Sequence, residues 1–318
     1  MNTLTEHVQP IEIESPRWPI PAIPPFGPST AEFISEAGHA GRLLPANVHD
    51  ALVDFADSTH RSGAMLLRRL PIGDLPGTPL TPTTPAGKDS VSEFTLLTVA
   101  RRLGQPVGYA PEHGGELVQD IVPTMSAIDR QVSTSSKVQL MFHTEAAFHP
   151  HRPRYLLLLC LRGDSSARTT LSSIFEVLPQ LDPGVVDVLF EARFRTAVDE
   201  SYLGGRSNVL GPPVAVLSGD RLRPSMVFDA DLMVGIDDQA DAALRTLGEA
   251  TQACHASVAL ESGDLLIVDN NVAVHGRSPF VARFDGSDRW LQRTFVVSDL
   301  APSAADRRGR VITTHFGI

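Results

Sequence analysis

Two stretches of this chain carry side chains that could hold a divalent metal. His143-Thr144-Glu145 closes a β-type run, Val138–Phe142. Alternate residues of a strand project from one face, so His143 and Glu145 can aim an imidazole and a carboxylate at one point. Such a pair alone is also an ordinary strand end. The second stretch, GDLLIVDNNVAVHGRSPF, lies far downstream. Asp264–Asp269 has the composition of a buried strand, Asn270-Asn271 that of a turn, and Ala273–His275 begins a return strand. That hairpin would present His275. Two histidines and one carboxylate on a β-scaffold form the facial donor set of non-haem iron(II) oxygenases, which leaves positions open for a chelating co-substrate and O₂.

Two arginines extend the pattern. Arg289 follows His275 by 14 residues and Arg293 lies four further on. Burying an arginine is costly without a carboxylate partner. One aimed into a metal pocket is therefore suited to bidentate binding of a dicarboxylate. Trp290 and Leu291 between them fit a strand partly in the core, and the even spacing turns both arginines to one face. The other histidines rank lower. His149 and His151 flank Pro150 and read as a loop rim, and Cys254-His255 lacks the second Cys/His pair that a zinc site needs.

The elements that must position these groups are legible in outline. The chain has 318 residues, 42% hydrophobic, with a formal charge of −10. That suits one globular domain and argues against nucleic-acid or anionic-membrane partners, which need basic patches. The two cysteines, Cys160 and Cys254, make no disulfide framework, and Cys160 falls in an apolar run. With no basic start followed by an apolar stretch, and no apolar run near the ~20 residues of a membrane span, a cytoplasmic location is expected.

Residues 9–28 hold seven prolines and read as an extended arm, leaving 29–318 as a single domain. A capping box from Ser29 to Glu32 opens a helix to about His39. Further helices are expected over Ala46–Ser58, Val91–Leu103, Ile174–Phe190 (broken near Pro179 and Pro183) and Asp238–Cys254. Strands are expected over Ala64–Leu70, Leu117–Val122, Lys137–His143, Tyr155–Leu161, Thr169–Ser173, Val214–Leu217 and Met226–Phe228, then Ser257–Leu260, Asp264–Asp269, Ala273–His275 and Gln292–Val297. Gly77–Asp89, with three prolines, is a loop. Many short strands between turns suggest a jelly roll or barrel, with N-terminal helices against a β-core and helical insertions, in an α+β or mainly β class.

HTEAAFHPHRPRYLLLLCLRGD, then TTL, then GDLLIVDNNVAVHGRSPFVARFDGSDRWLQR resemble the clavaminate synthase-like iron(II)/2-oxoglutarate oxygenases, and among them hydroxylases of free amino acids. The likeness spans roughly residues 60–300. It implies a double-stranded β-helix, or distorted jelly roll, and the cofactors Fe(II), 2-oxoglutarate and O₂. It assigns His143, Glu145 and His275 to iron, Thr170 and Arg289 to the distal carboxylate of 2-oxoglutarate, and Arg293 to the substrate α-carboxylate. Ser133, in VSTSSK, matches a backbone-binding serine, and Asp199-Glu200-Ser201 resembles a mobile lid. Glu112 matches a polar position beside the substrate, where an acid suits an ammonium group. Glu145 also borders the substrate. Asp229 and Asp231, in VFDADLMVGI, match a D-x-D motif that places carboxylates against a cationic side chain.

The implied activity is hydroxylation of an unactivated C–H bond of a free L-amino acid, with L-lysine, at its 3- or 4-position, as first choice. L-Arginine or a related residue (citrulline, ornithine, enduracididine) is the alternative. Two readings from other classes use the same residues: a hydrolase with zinc on the three donors, and a non-catalytic amino-acid-binding barrel.

Overall fold

The apolar run at Tyr155–Leu161 shows how the molecule is layered. In the computed structural model, which describes residues 11–14, 18, 23–57 and 60–317, it forms the strand Tyr155–Arg162. Its alternate residues feed two different cores. Leu157, Leu159 and Leu161 pack with helical residues that include Phe33, Val48 and Leu97. Leu156, Leu158 and Cys160 pack with Leu171, Leu266 and Leu291. Leu265–Asp269 divides its side chains in the same way, Leu265 and Ile267 to the first core, Leu266 and Val268 to the second. A strand covered on both faces reads as continuously apolar, which is why these two segments show no polar alternation.

In chain order the strands are β1 (Ile11–Glu14), β2 (Ala64–Arg68), β3 (Gln105–Tyr109), β4 (Gln119–Ile121), β5 (Leu140–His143), β6 (Tyr155–Arg162), β7 (Arg168–Ser173), β8 (Phe194–Thr196) and β9 (Leu217–Asp220). They continue as β10 (Arg223–Met226), β11 (Met233–Gly235), β12 (Ala256–Ala259), β13 (Leu265–Asp269), β14 (Ala273–Arg277), β15 (Trp290–Val297), β16 (Arg307–Arg308) and β17 (Val311–Ile312). The α-helices are α1 (Ala31–Ala40), α2 (Ala46–Ala56), α3 (Val91–Leu103), α4 (Ile174–Val177), α5 (Pro183–Leu189), α6 (Glu200–Leu203) and α7 (Asp238–Ala253).

The larger sheet runs β1-β2-β13-β6-β15-β3-β17-β16, with β4 also paired to β15, and a smaller sheet runs β12-β7-β14-β5. Helices α1, α2 and α3 cover the outer face of the larger sheet. Helices α4, α5 and α7, with residues 194–233, cover the outer face of the smaller one. The inner faces meet across the core that contains Leu156, Leu171, Leu266, Ala273 and Phe295. The architecture is α+β, with helices outside two facing sheets.

Several expected elements shift for local reasons. Helix α1 is capped by Thr30, whose hydroxyl accepts the Phe33 N–H at 3.3 Å. This moves the cap one residue past Ser29 and removes Glu32 from the capping-box position. The helical stretch from Ile174 breaks at its prolines into α4, a 3₁₀ turn (Leu178–Gln180) and α5. The strands expected at Val214–Leu217 and Met226–Phe228 are displaced into the hairpin β9–β10, and Val214 keeps only a bridge to Phe194. Strand β3 was not expected, since Pro106 and Gly108 weaken it on composition. Of the proline-rich arm, residues 9, 10, 15–17 and 19–22 lie outside the described residues, as does Ser58. Residues 11–14 form β1, which pairs in parallel with β2.

One glycine fixes how closely the strands beside the candidate site approach. A Cβ on Gly276 would stand 2.5 Å from the Leu140 carbonyl oxygen and 2.9 Å from Thr170 Oγ1, so β5 and β7 leave no room for a side chain there. Gly276→Ala should destabilise the fold by about 1–3 kcal/mol through overpacking. Thermal unfolding measures this, and an unchanged midpoint would contradict the close approach.

Candidate active site

Strands β5 and β14 pair antiparallel with His143 directly opposite His275, and their ring centroids are 4.3 Å apart. His143 Nδ1 lies 2.8 Å from the Met141 carbonyl. Donation from Nδ1–H to that oxygen leaves Nε2 free to ligate. His275 Nε2 is 3.6 Å from Glu145 Oε2. One ligand atom from each of His143, Glu145 and His275 falls within 4.8 Å of the others.

Strand pleating does not by itself bring Glu145 to this point, because β5 ends at His143. Thr144 is tied to Phe228, its N–H donating to the Phe228 carbonyl at 2.7 Å and its hydroxyl accepting the Phe228 N–H at 3.0 Å. Glu145 then enters a turn in which Ala146 adopts a left-handed conformation, φ 52°, a strained geometry for a residue with a side chain.

The protonation states suit metal binding. Burial pushes the His275 imidazole down to about 4, and His143 adds to this against the opposing pull of Glu145. Burial alone would raise the Glu145 carboxyl, but Arg293 and the bond to His275 bring it down to about 2. A neutral imidazole and an ionised carboxylate are the forms that bind a metal.

The three donors line a cavity of about 500 Å³ between the sheets. Arg289, just before β15, and Arg293, on β15, line it too, with Leu291. Arg289 is buried, and its one side-chain hydrogen bond among the described residues is a long one, 3.4 Å, from Nη2 to Thr169 Oγ1. Its guanidinium therefore faces the cavity without a carboxylate, an arrangement suited to one end of a dicarboxylate ligand. Here the expectation for Thr170 needs correction. In the β7–β14 register, Leu171 stands opposite His275 and Thr169 opposite Arg277, while Thr170 stands opposite Gly276. Thr169 thus shares the face of His275 and lines the cavity. Thr170 points the other way, its hydroxyl buried without a partner. A one-residue offset in a strand reverses the face.

Arg293 is held from three sides. Its Nε and Nη2 donate to Gln119 Oε1 at 3.0 and 2.6 Å, and Nη2 donates to Glu112 Oε1 at 2.5 Å. Nη1 lies 3.6 Å from Glu145 Oε1. Despite burial, these carboxylates raise its pKa. Ser201 Oγ is 2.8 Å from both Glu112 Oε2 and Asp199 Oδ1, joining the α6 segment to this network. An Arg130–Glu200 ion pair ties the same segment to the loop before Ser133. Ser133, Asp199, Asp229 and Asp231 all line the cavity.

The two aspartates are not equivalent. Asp229 is buried, bridges to His143 through the backbone, and accepts the N–H groups of Asp231 and Leu232 on Oδ1. Its pKa is raised by burial. Asp231 is exposed at the rim, because the chain turns between them. His149 is buried among Tyr109, Tyr202 and Phe316 and lies outside the donor set. Burial holds it down to about 3.

Comparison with known proteins agrees with this geometry. Residues 56–295 match the family described as "Taurine catabolism dioxygenase TauD, TfdA family". The chain is 38% identical over 293 residues to an L-lysine 3-hydroxylase of Catenulispora acidiphila, a match covering 90% of this chain and 82% of that protein. It superposes on a crystal structure of asparagine oxygenase in complex with Fe(II), 2S,3S-3-hydroxyasparagine and succinate with a TM-score of 0.85 at 38% identity, covering 90% and 91% of the two chains. The non-haem iron oxygenase OrfP in complex with Fe and alpha-ketoglutaric acid gives a TM-score of 0.78 at 35% identity, covering 88% and 90%.

Two buried residues beside the donors had no signal in the sequence pattern. Gln119 stands opposite Arg293 in the β4–β15 register. Asn270 reads only as turn chemistry, yet its Oδ1 accepts the Glu145 N–H at 2.7 Å, and its Nδ2 donates to the carbonyls of Glu145 and Pro153, both at 3.0 Å. One amide side chain from the β13–β14 hairpin thus satisfies both backbone groups of Glu145. The nearest hint is that Asn270 shares a hairpin with His275. Removing it leaves three backbone groups, the N–H and carbonyl of Glu145 and the carbonyl of Pro153, without this partner. Asn270→Ala should weaken metal affinity by about 10–100-fold, as loss of an outer-shell partner does. Titration with iron(II), or with manganese(II) as an inert probe, reads this directly, and unaltered affinity would remove Asn270 from the positioning of Glu145.

Proposed function

Because the chain belongs to the TauD, TfdA dioxygenase family, we propose that its inter-sheet cavity is the site of an iron(II)/2-oxoglutarate-dependent hydroxylase of a free L-amino acid. The observation that carries this reading is the convergence of His143, Glu145 and His275 in a cavity that also holds Arg289, a buried guanidinium with no acid partner among the described residues. The cofactors are iron(II), 2-oxoglutarate and O₂. The two facing sheets are read as the distorted jelly roll of this family, within a single oxygenase domain over 29–318 behind the N-terminal arm. Membership leaves the zinc-hydrolase and binding-barrel readings without support.

When bound, the iron and its co-substrate supply O₂ activation and oxygen insertion at an unactivated C–H bond. The protein supplies position and dryness. His143, Glu145 and His275 would hold the metal. Arg289 and Thr169 take the distal carboxylate of 2-oxoglutarate. Arg293, kept rigid by Gln119 and Glu112, takes the α-carboxylate of the amino acid beside Ser133, and Glu112 and Asp199 face its ammonium group. The α6 segment, pinned by Arg130–Glu200 and by Ser201, excludes water from the mouth.

For the side chain we propose a cation, with L-lysine as first choice. The cavity lining holds six carboxylates against four guanidiniums, and an excess of acid in a partly dry space favours a positive ligand. Asp229, buried beside His143, would meet it, with Asp231 at the rim. L-Arginine and its relatives fit the same argument. A neutral side chain such as that of asparagine is a second reading, favoured by the exposure of Asp231, which leaves one buried acid at this end.

Succinate release with iron(II), ascorbate, O₂ and 2-oxoglutarate against free L-Lys, L-Arg, ornithine, citrulline and L-Asn tests the substrate. L-Lysine should stimulate release and gain one oxygen in mass, whereas turnover of asparagine alone would establish the second reading. Asp229→Asn keeps the acceptor of the turn and removes the charge. It should raise the KM for lysine by about 10–100-fold, the cost of a charged hydrogen bond, and Asp231→Asn should raise it less. Arg289→Met should raise the 2-oxoglutarate requirement by at least about tenfold with metal affinity intact; an unchanged requirement would put the dicarboxylate elsewhere.

A further inference from the structure

A third buried guanidinium lines the same cavity. Arg277 sits two residues after His275 in β14, on the same strand face, with 4% of its surface exposed. Its Nη1 donates to the carbonyls of Ser135 at 2.6 Å and Ser133 at 3.3 Å. Its Nη2 donates to Ser135 Oγ at 2.9 Å and the Val138 carbonyl at 3.3 Å, and its Nε to the Ser278 carbonyl at 3.2 Å. The guanidinium lies over the Phe280 ring, 5.1 Å from its centroid. Every acceptor is neutral. Phe280 N–H also donates to the Ser136 carbonyl at 2.8 Å. Segment 133–138 is thus fastened by one cation to the strand that carries His275.

Arg277 and Arg289 meet at a single residue. Thr169 stands opposite Arg277 in the β7–β14 register, and its hydroxyl is the side-chain acceptor of Arg289. Two buried guanidiniums thus adjoin one residue in the lining of one cavity, with no carboxylate paired to either among the described residues. Such a pair is repulsive, and more so the less water surrounds it.

We propose that Arg277 is a positioning residue that couples the anionic end of the co-substrate to the order of the amino-acid loop 133–138. A carboxylate on Arg289 cancels the repulsion, Arg277 keeps its grip on the carbonyls of Ser133, Ser135 and Val138, and the loop is set for the amino acid. Linkage makes the effect reciprocal, so the amino acid tightens the co-substrate by the same factor. The inference rests on the 2-oxoglutarate reading of Arg289.

Calorimetric titration of the iron(II)-loaded protein without O₂ separates the two. 2-Oxoglutarate is titrated alone, then L-lysine (or the amino acid that the panel identifies) with and without saturating 2-oxoglutarate. In the wild type, 2-oxoglutarate should tighten amino-acid binding by about tenfold, within the usual range of coupling. In Arg277→Met, 2-oxoglutarate should still bind, while the tightening falls to about threefold or less. Undiminished tightening in that variant overturns the proposal, whereas failure of 2-oxoglutarate to bind the wild type overturns the reading of Arg289 instead. Hydrogen exchange on the wild type needs no variant. 2-Oxoglutarate without amino acid should slow amide exchange across residues 133–138, and unchanged exchange there overturns the coupling.

Discussion

A charge taken out of water has to be met by another charge or by well-placed dipoles, and the space between the two sheets is arranged around that constraint. Three guanidiniums and three carboxylates, Arg277, Arg289, Arg293, Glu112, Glu145 and Asp229, are buried around one cavity. Arg293 is met by Glu112, Gln119 and Glu145, and Arg277 by the carbonyls of one loop. Arg289 is met by almost nothing that the protein itself provides. The imbalance leaves Arg289 suited to an anion. Asp199, joined to Glu112 through Ser201, and Asp229, beside His143, add further acid to the lining. Position in this site is a consequence of incomplete charge compensation.

The layering supports that arrangement. Because β6 and β13 bury both faces, the larger sheet is fixed by helices on one side and by the inter-sheet core on the other. A wall held from both sides can keep arginine side chains at set positions in a way that a solvated sheet cannot. The same rigidity reaches the loop at 77–89, where Lys88 pairs with Glu93 and Thr84 donates to Asp120 at 2.5 Å. Asp120 in turn accepts the Trp290 indole N–H at 2.7 Å, one residue from Arg289.

The chemistry of this site was more legible in the sequence than its fine placement. His143, Glu145, His275, Arg289 and Arg293 stand out because their types and spacing are unusual on a β-scaffold, and the chain does bring them to one cavity. Thr170 was chosen over its neighbour because a TTL run does not declare which threonine faces inward. Only the pairing of β7 with β14 decides that. Asn270 and Gln119 were silent because their roles are tertiary: each acts on a residue far away in the chain, Asn270 across 125 positions and Gln119 across 174. Helix α3 was readable to its ends because the spacing of its apolar residues is a local signal. The short strands of the 194–236 insertion were less so, since they form two-stranded pairs of three or four residues held by tertiary packing.

The contrast between Asp229 and Asp231 also bears on how such a scaffold diversifies. Asp229 is built into its turn, so replacing it disturbs two backbone amides and a buried position. Asp231 stands at the mouth with its side chain in water. A change there falls in the class of surface substitutions that alter stability by about half a kcal/mol or less. Mutation can therefore sample this rim position almost freely while the metal donors and the charged wall stay under constraint. Selectivity for the far end of a ligand can drift between lineages without the fold having to be rebuilt.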